Sequence, residues 1–220
     1  MPVVLEDVYK RYPGDVVALA DVSCEIRTGE LVGLLGPSGC GKSTLLNLIG
    51  CIDLPTSGRV LVSGEETSRL ADEALTRLRR DNVGTVFQFF NLLPTLTLAQ
   101  NVALPLMLQK LDRKQADLRV AEVLERVGLM DRAKAYPANV SGGQMQRAAI
   151  ARAIVHRPAI VLADEPTGNL DSRNGEVVLE LLRELASAGQ TIVIATHSPE
   201  AAAICDRRIH LLDGAISSIT

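Results

Sequence analysis

The sequence lacks any apolar run approaching the roughly 18 residues that a membrane-spanning helix needs. Its longest candidate, VALPLML at 102–108, is far too short. If the protein acts at a membrane, another chain supplies the spans. Paired cysteines are also missing. Cys24, Cys40, Cys51 and Cys205 lie far apart with no CxxC, so neither a zinc site nor a redox motif is indicated. Scattered free thiols fit a reducing cytosol. There is no basic excess: 23 Lys and Arg stand against 26 Asp and Glu, for a net charge of −3. A general nucleic-acid binder would show the opposite balance, so no nucleic acid is expected. The opening MPVVLEDVYK has early acidic residues and no apolar h-region, so it does not read as a signal peptide. No short repeat, low-complexity tail or long heptad run is present.

What is present is an ordinary globular balance. The chain has 220 residues, 47% hydrophobic and 22% charged, enough for one domain with a proper core. Residues 3–11 and 16–27 are rich in Val, Leu and Ile and flank Pro13-Gly14, which predicts two antiparallel strands. RVLV (59–62) predicts another strand, bracketed by turn signals. LVGLL (31–35), VGTVF (83–87), AIVLA (159–163) and TIVIAT (191–196) are continuous apolar runs of the kind that form buried parallel strands. Residues 97–157 show no strand pattern and several helical ones, so a helical insertion in an α/β core is expected. RLRR (77–80) reads as a solvated helix end.

GPSGCGKS (36–43) matches G-x-x-x-x-G-K-[ST], with a strand before it and a helix after it. Gly36, Gly39 and Gly41 let the backbone aim its N–H groups at phosphate oxygens. The helix start adds its positive end. The candidate nucleotide-binding stretch is Gly36, Pro37, Ser38, Gly39, Cys40, Gly41, Lys42, Ser43 and Thr44. Lys42 reaches the terminal phosphates and Ser43 ligates Mg²⁺. Cys40 makes sensitivity to thiol reagents an expectation.

Each of the four apolar runs ends where phosphoryl chemistry can use it. LVGLL ends at the phosphate loop, VGTVF at Gln88, AIVLA at Asp164-Glu165 and TIVIAT at His197. Asp164 is placed to hold Mg²⁺ and Glu165 to polarise the attacking water. His197 is placed to donate to the γ-phosphate, and Gln88 to touch both Mg²⁺ and water. His156, at a helix end, and His210, in a late strand, read as structural.

VSGGQ (140–144) then opens a second helix. Ser141 and Gln144 form a capping box, while Gly142 and Gly143 leave backbone N–H groups unobstructed. A second anion-accepting helix start without its own lysine suits a nucleotide held by another copy. A head-to-tail homodimer, with ATP between one copy's loop and the other's helix start, satisfies both.

Over its whole length the chain resembles an ATP-binding cassette (ABC) ATPase subunit. GPSGCGKS resembles the Walker A motif, AIVLADE (159–165) Walker B, VSGGQ the signature and GNLD (168–171) the D-loop. Val140 departs from the commoner leucine. The resemblance implies a P-loop NTPase core with an antiparallel β-subdomain and a helical subdomain. Residues 1–88 and 158–220 would form the catalytic core and 89–157 the helical part. It implies ATP and Mg²⁺ as ligands, and Ser141, Gly142 and Gly143 against the partner's γ-phosphate. Asp171 would couple the two sites. Tyr12 falls where the family's adenine-stacking aromatic lies, although a plain strand tyrosine accounts for the residue as well. CIDLPTSG, VFQFFNLLPTLTLAQNVALPL and DEPTGNLD are similar to ATPase subunits of the lipoprotein-release and macrolide-export type (LolD and MacB), with FtsE a close relative. Such a subunit would sit on the cytoplasmic face of the membrane against separate permease subunits. A soluble ABC ATPase and an FtsE-like regulator of cell-wall hydrolysis are the competing classes. Phe89 and Phe90 fit either helical-subdomain core or a groove for the membrane partner.

Overall fold

The computed structural model describes residues 2–220. In chain order, β1 (Val3–Tyr12) and β2 (Val16–Ile26) form a hairpin, and β3 (Leu31–Leu35) runs through a glycine-rich loop into α1 (Lys42–Ile49). β4 (Ser57–Val62), β5 (Glu65–Glu66), α2 (Asp72–Asn82) and β6 (Val83–Val86) follow. Three α-helices come next, α3 (Leu98–Leu108), α4 (Arg113–Arg126) and α5 (Gly142–Ile154), with two single-turn 3-10 helices between the last two. The chain ends with β7 (Ile160–Asp164), α6 (Ser172–Ser187), β8 (Thr191–Thr196), α7 (Pro199–Ala203), β9 (Arg207–Leu212) and β10 (Ala215–Ile219).

Two sheets result. A small antiparallel sheet has the order β2-β1-β4-β5, and a larger one has the order β10-β9-β3-β8-β7-β6. In the larger sheet β9, β3, β8, β7 and β6 are parallel, and β10 folds back antiparallel on β9. The apolar runs are continuous because the sheet is covered on both faces. Ile160, Leu162, Val193 and Ala195 point into a core shared with α1, α2 and the small sheet. Their neighbours Val161, Ala163, Ile192 and Ile194 point into a second core built by α3 to α6. Burial on both faces removes the period-two polar alternation that would otherwise mark a strand.

Between β6 and β7 no strand occurs among the described residues. This stretch is more than an appendage, because α5 itself packs against β6 and α6. Ala148, Ala149, Ala151 and Ala153 are buried, and small side chains let the helix approach the sheet. The approach is tight at Gly84 in β6, where an added Cβ would lie 2.0 Å from the Ala153 carbonyl oxygen. The basic run in α2 is not simply solvated: Arg79 Nη1 donates to the Cys51 carbonyl at 2.6 Å, tying α2 to the turn after α1. The four cysteines are free thiols, and burial pushes Cys24, Cys51 and Cys205 each up to about 11.

Gly84→Ala forces α5 away from β6 and is expected to destabilise the chain by about 2–3 kcal/mol. Equilibrium denaturation with urea checks this; an unchanged midpoint would contradict the close packing.

Candidate functional site

The carboxyl ends of the parallel strands share one edge of the large sheet, as parallel pairing requires. β3 delivers the loop 36–41. Gly36 (φ 149°) and Gly41 (φ 104°) are obligatory there. A Cβ at Gly36 would lie 2.2 Å from the Leu211 carbonyl, and one at Gly41 would lie 2.6 Å from that of Ala18. The contact with Ala18 also sets the β1–β2 hairpin beside the loop. Lys42 is nearly buried, and its Nζ donates to the Gly36 and Pro37 carbonyls at 2.7 and 2.9 Å. The start of α1 at Gly41 has no side-chain cap and no acidic residue in its first turn. Its backbone N–H groups and positive end therefore remain available to an anion. Cys40 is buried, so a reagent reaches its thiol only if the loop opens.

Ser43 Oγ donates to Asp164 Oδ2 at 3.1 Å, joining the phosphate loop to the end of β7. Burial pushes the Asp164 carboxyl above its usual range, and neighbouring Glu165 adds to the rise, against the Ser43 hydrogen bond and the Lys42 charge. Glu165 is the next residue and adopts φ 45°, a left-handed backbone that costs energy for a non-glycine residue. Its N–H donates to Ala195 O. Its carboxylate is held at both oxygens: Thr196 Oγ1 donates to Oε2 at 3.0 Å, and His197 Nδ1 lies 2.7 Å from Oε1. The glutamate side chain is 16% exposed and the imidazole 75%, so an inner carboxylate is steadied by an outward-facing ring.

Gln88 follows β6. Its carbonyl accepts from Asn169 Nδ2 at 2.8 Å, and its side chain lies over Gly168, where a Cβ would approach Nε2 to 3.0 Å. It makes no hydrogen bond to Ser43 or Asp164. The structure thus places Gln88 against the 165–171 loop. Asp171 caps α6, with Oδ1 accepting from the Asn174 N–H at 2.9 Å and Oδ2 from Asn174 Nδ2 at 2.7 Å. These bonds hold its carboxyl below the usual range.

At α5 the capping box is complete: Ser141 Oγ accepts from Gln144 N at 3.3 Å, and Gln144 Oε1 accepts from Ser141 N at 2.9 Å. The two glycines differ in what they do. Gly142 meets only ordinary contacts from Leu170 and Phe90, whereas a Cβ at Gly143 would lie 2.3 Å from Asn174 Oδ1. Gly143 is a packing glycine between α5 and α6 as well as part of an open helix start. Ser141, Pro37, Ser38, Gly39 and Ser43 are all exposed, so the phosphate loop and the second helix start both face solvent. Tyr12, at the end of β1, donates its hydroxyl to Asp53 Oδ2 at 2.9 Å. Phe89 is exposed and Phe90 faces Gly142. Arg152 reaches the Phe90 and Asn91 carbonyls and holds both residues in left-handed backbone. His156 is buried with Nε2 against the Val83 carbonyl, and His210 lies in β9, both away from the carboxylate pair.

Three participants escape motif reading. Thr196 is the last residue of an apolar strand, and only the pairing of β7 with β8 puts it on Glu165. Gln146 is fully buried and donates through Nε2 to the Pro166 carbonyl at 2.7 Å, linking α5 to the residue after Glu165. A lone amide among alanines on the buried face of α5 was the available signal. Asp53 lies in a loop with no pattern of its own.

The architecture defines a P-loop nucleotide-binding protein: a parallel sheet whose carboxyl edge carries a glycine loop, a lysine and a carboxylate pair. The sequence pattern of the ABC transporter family matches residues 19–168. An uncharacterized ABC transporter ATP-binding protein of Thermotoga maritima is 48% identical over 98% of this chain and 93% of its own length. The macrolide export ATP-binding/permease protein MacB of Escherichia coli K12 is 47% identical over 96% of this chain, which spans 33% of that protein. The dimeric ATP-binding cassette MJ0796, in a post-hydrolysis state bound to ADP and Pi, superposes with a TM-score of 0.89 at 42% identity, covering 99% of this chain and 97% of its own. The chain belongs to the ABC transporter family, as an ATP-binding cassette.

A carboxyl raised on folding binds protons more tightly in the folded state, so it costs stability above its unfolded pKa. Without nucleotide, Asp164→Asn is therefore expected to melt above wild type at pH 7.5. The difference should shrink as the pH falls and the carboxyl protonates in both states. Melting curves across pH 4–8 check this; a variant that melts lower throughout would contradict it.

Proposed function

We propose that the chain binds ATP with Mg²⁺ on residues 36–44 and hydrolyses it within a head-to-tail homodimer. That cycle drives separate transmembrane permease subunits from the cytoplasmic face of a membrane. Residues 1–88 and 158–220 act as the catalytic core and 89–157 as the helical subdomain. The observation that carries the reading is the convergence at one sheet edge of Lys42, Ser43, Asp164, Glu165 and His197, with Ser43 bonded to Asp164 and His197 bonded to Glu165.

The donor set fits Mg²⁺. Ser43 and Asp164 offer a hydroxyl and a carboxylate, both hard oxygen donors, and the half-buried carboxylate would gain from a cation. No cluster of three metal-ligating side chains occurs among the described residues. When bound, Mg²⁺ supplies charge neutralisation of the phosphates. Lys42 turns from the loop carbonyls to the terminal phosphates. Glu165, held by Thr196 and His197, accepts the proton of the attacking water, and His197 presents its exposed ring to the γ-phosphate. Ser141, Gly142 and Gly143 meet the phosphate of the opposite copy, with Gln144 securing the helix start. Asp171 fixes α6 beside them. Gln88, packed on Gly168, links the active edge to the helical subdomain, and Tyr12 carries the adenine. Phe89, exposed in the loop that Arg152 ties down through the Phe90 and Asn91 carbonyls, serves the face that meets the permease.

Glu165→Gln should lower ATP turnover at least about 100-fold, as loss of a general base does. It should keep ATP affinity and accumulate as a dimer in ATP, seen by sedimentation. Lys42→Ala should lose binding and remain monomeric. Wild-type turnover in either variant, or a Glu165→Gln monomer at saturating ATP, would refute the assignment.

A further inference from the structure

We propose that Asp53 and Lys10 are positioning residues that clamp the Tyr12 ring, so that the nucleobase meets an aromatic face already fixed in place. This rests on the reading of Tyr12 as the adenine platform.

β1 puts Lys10 and Tyr12 on one face of the strand, two residues apart. Asp53 comes from the turn after α1, held through its N–H to the Asn47 carbonyl. Its two oxygens divide the work. Oδ2 accepts from the Tyr12 hydroxyl at 2.9 Å and Oδ1 from Lys10 Nζ at 2.5 Å. Lys10 Nζ also donates to the Leu54 carbonyl at 2.8 Å and lies 4.9 Å from the Tyr12 ring centroid. The hydroxyl bond fixes where the ring points, and the ammonium covers one ring face. A ligand is left with the other face. Lys10 is only 9% exposed, so its charge is committed to this cluster. Burial alone would raise Asp53, yet the bonds from Lys10, the Leu54 N–H and Tyr12 outweigh it and keep the carboxyl below its usual range. The anion that anchors the clamp is therefore present at neutral pH. A ring that must be immobilised during binding loses about three- to tenfold in affinity relative to one already held.

The test compares MgATP with inorganic tripolyphosphate, which has phosphates and no base, on the full chain. Asp53→Asn and Tyr12→Phe each weaken the clamp, and Tyr12→Phe removes a single hydroxyl without burdening the fold. Each is expected to raise KM for ATP about three- to tenfold, with kcat and the competitive Ki of tripolyphosphate unchanged. The double variant should shift KM no further than either single. Unchanged KM in both singles, with a raised KM in Tyr12→Ala, overturns the clamp and leaves the platform standing. Unchanged KM in Tyr12→Ala overturns the platform and the clamp together. Equal weakening of ATP and tripolyphosphate also overturns the clamp, because the cluster would then act on the phosphate loop.

Discussion

Leu35 pairs with Thr196 and Asp164 with Ala195, and on this parallel register of β3, β8 and β7 the rest of the site depends. It brings the phosphate loop, the carboxylate pair and His197 to the same height on one edge. A slip of one residue would turn every strand side chain to the opposite core, so burial on both faces protects the alignment. The hydrogen bond Thr196–Glu165 then crosses between the neighbouring ends of β8 and β7, and Ser43–Asp164 reaches past β8 from the loop after β3 to the end of β7. They are consequences of the register as much as supports for it.

The same edge is where the chain gives up stability. Gly36 and Gly41 hold backbone shapes closed to other residues, Glu165 sits in left-handed backbone, and Asp164 keeps a half-buried carboxyl. None of this is the lowest-energy choice for an isolated sheet end, and functional sites tend to concentrate such strain. The surrounding packing is correspondingly conservative. Ala148 to Ala153 and Gly84 give α5 a close seat on the sheet, and Gly143 gives it another on α6. The helix that presents Ser141 is therefore closely packed on the core that presents Glu165, and Gln146 adds a direct bond between them.

Much of this was legible in the residues. The buried strands stood out as apolar runs, and each stopped at a polar group, so the edge could be assembled before the sheet order was known. The phosphate loop and the capping box are local, with their spacing written in the chain. The missing parts are contacts between distant segments. Thr196 reads as the end of an apolar strand, Asp53 as a loop acid, Gln146 as an odd amide and Arg79 as surface charge. Each acquires a partner only through tertiary folding. Gln88 shows the opposite case: its position after a strand was clear, but its packing on Gly168 depends on a loop whose path no spacing encodes.

The two helix starts are the feature that a single copy leaves unexplained. α1 opens beside Lys42, α5 opens without a lysine, and both face solvent. The central claim is that each nucleotide is held by α1 of one copy and α5 of the other. Mixing two inactive variants tests it most directly: Lys42→Ala, which spoils the phosphate loop, and Gly142→Asp, which puts a carboxylate where phosphate should meet α5. A mixed dimer then has one site with both defects and one site with neither. Mixing is expected to restore ATP hydrolysis well above the sum of the two separate preparations. Activity that stays at that sum, while sedimentation shows mixed dimers forming, would contradict the shared site.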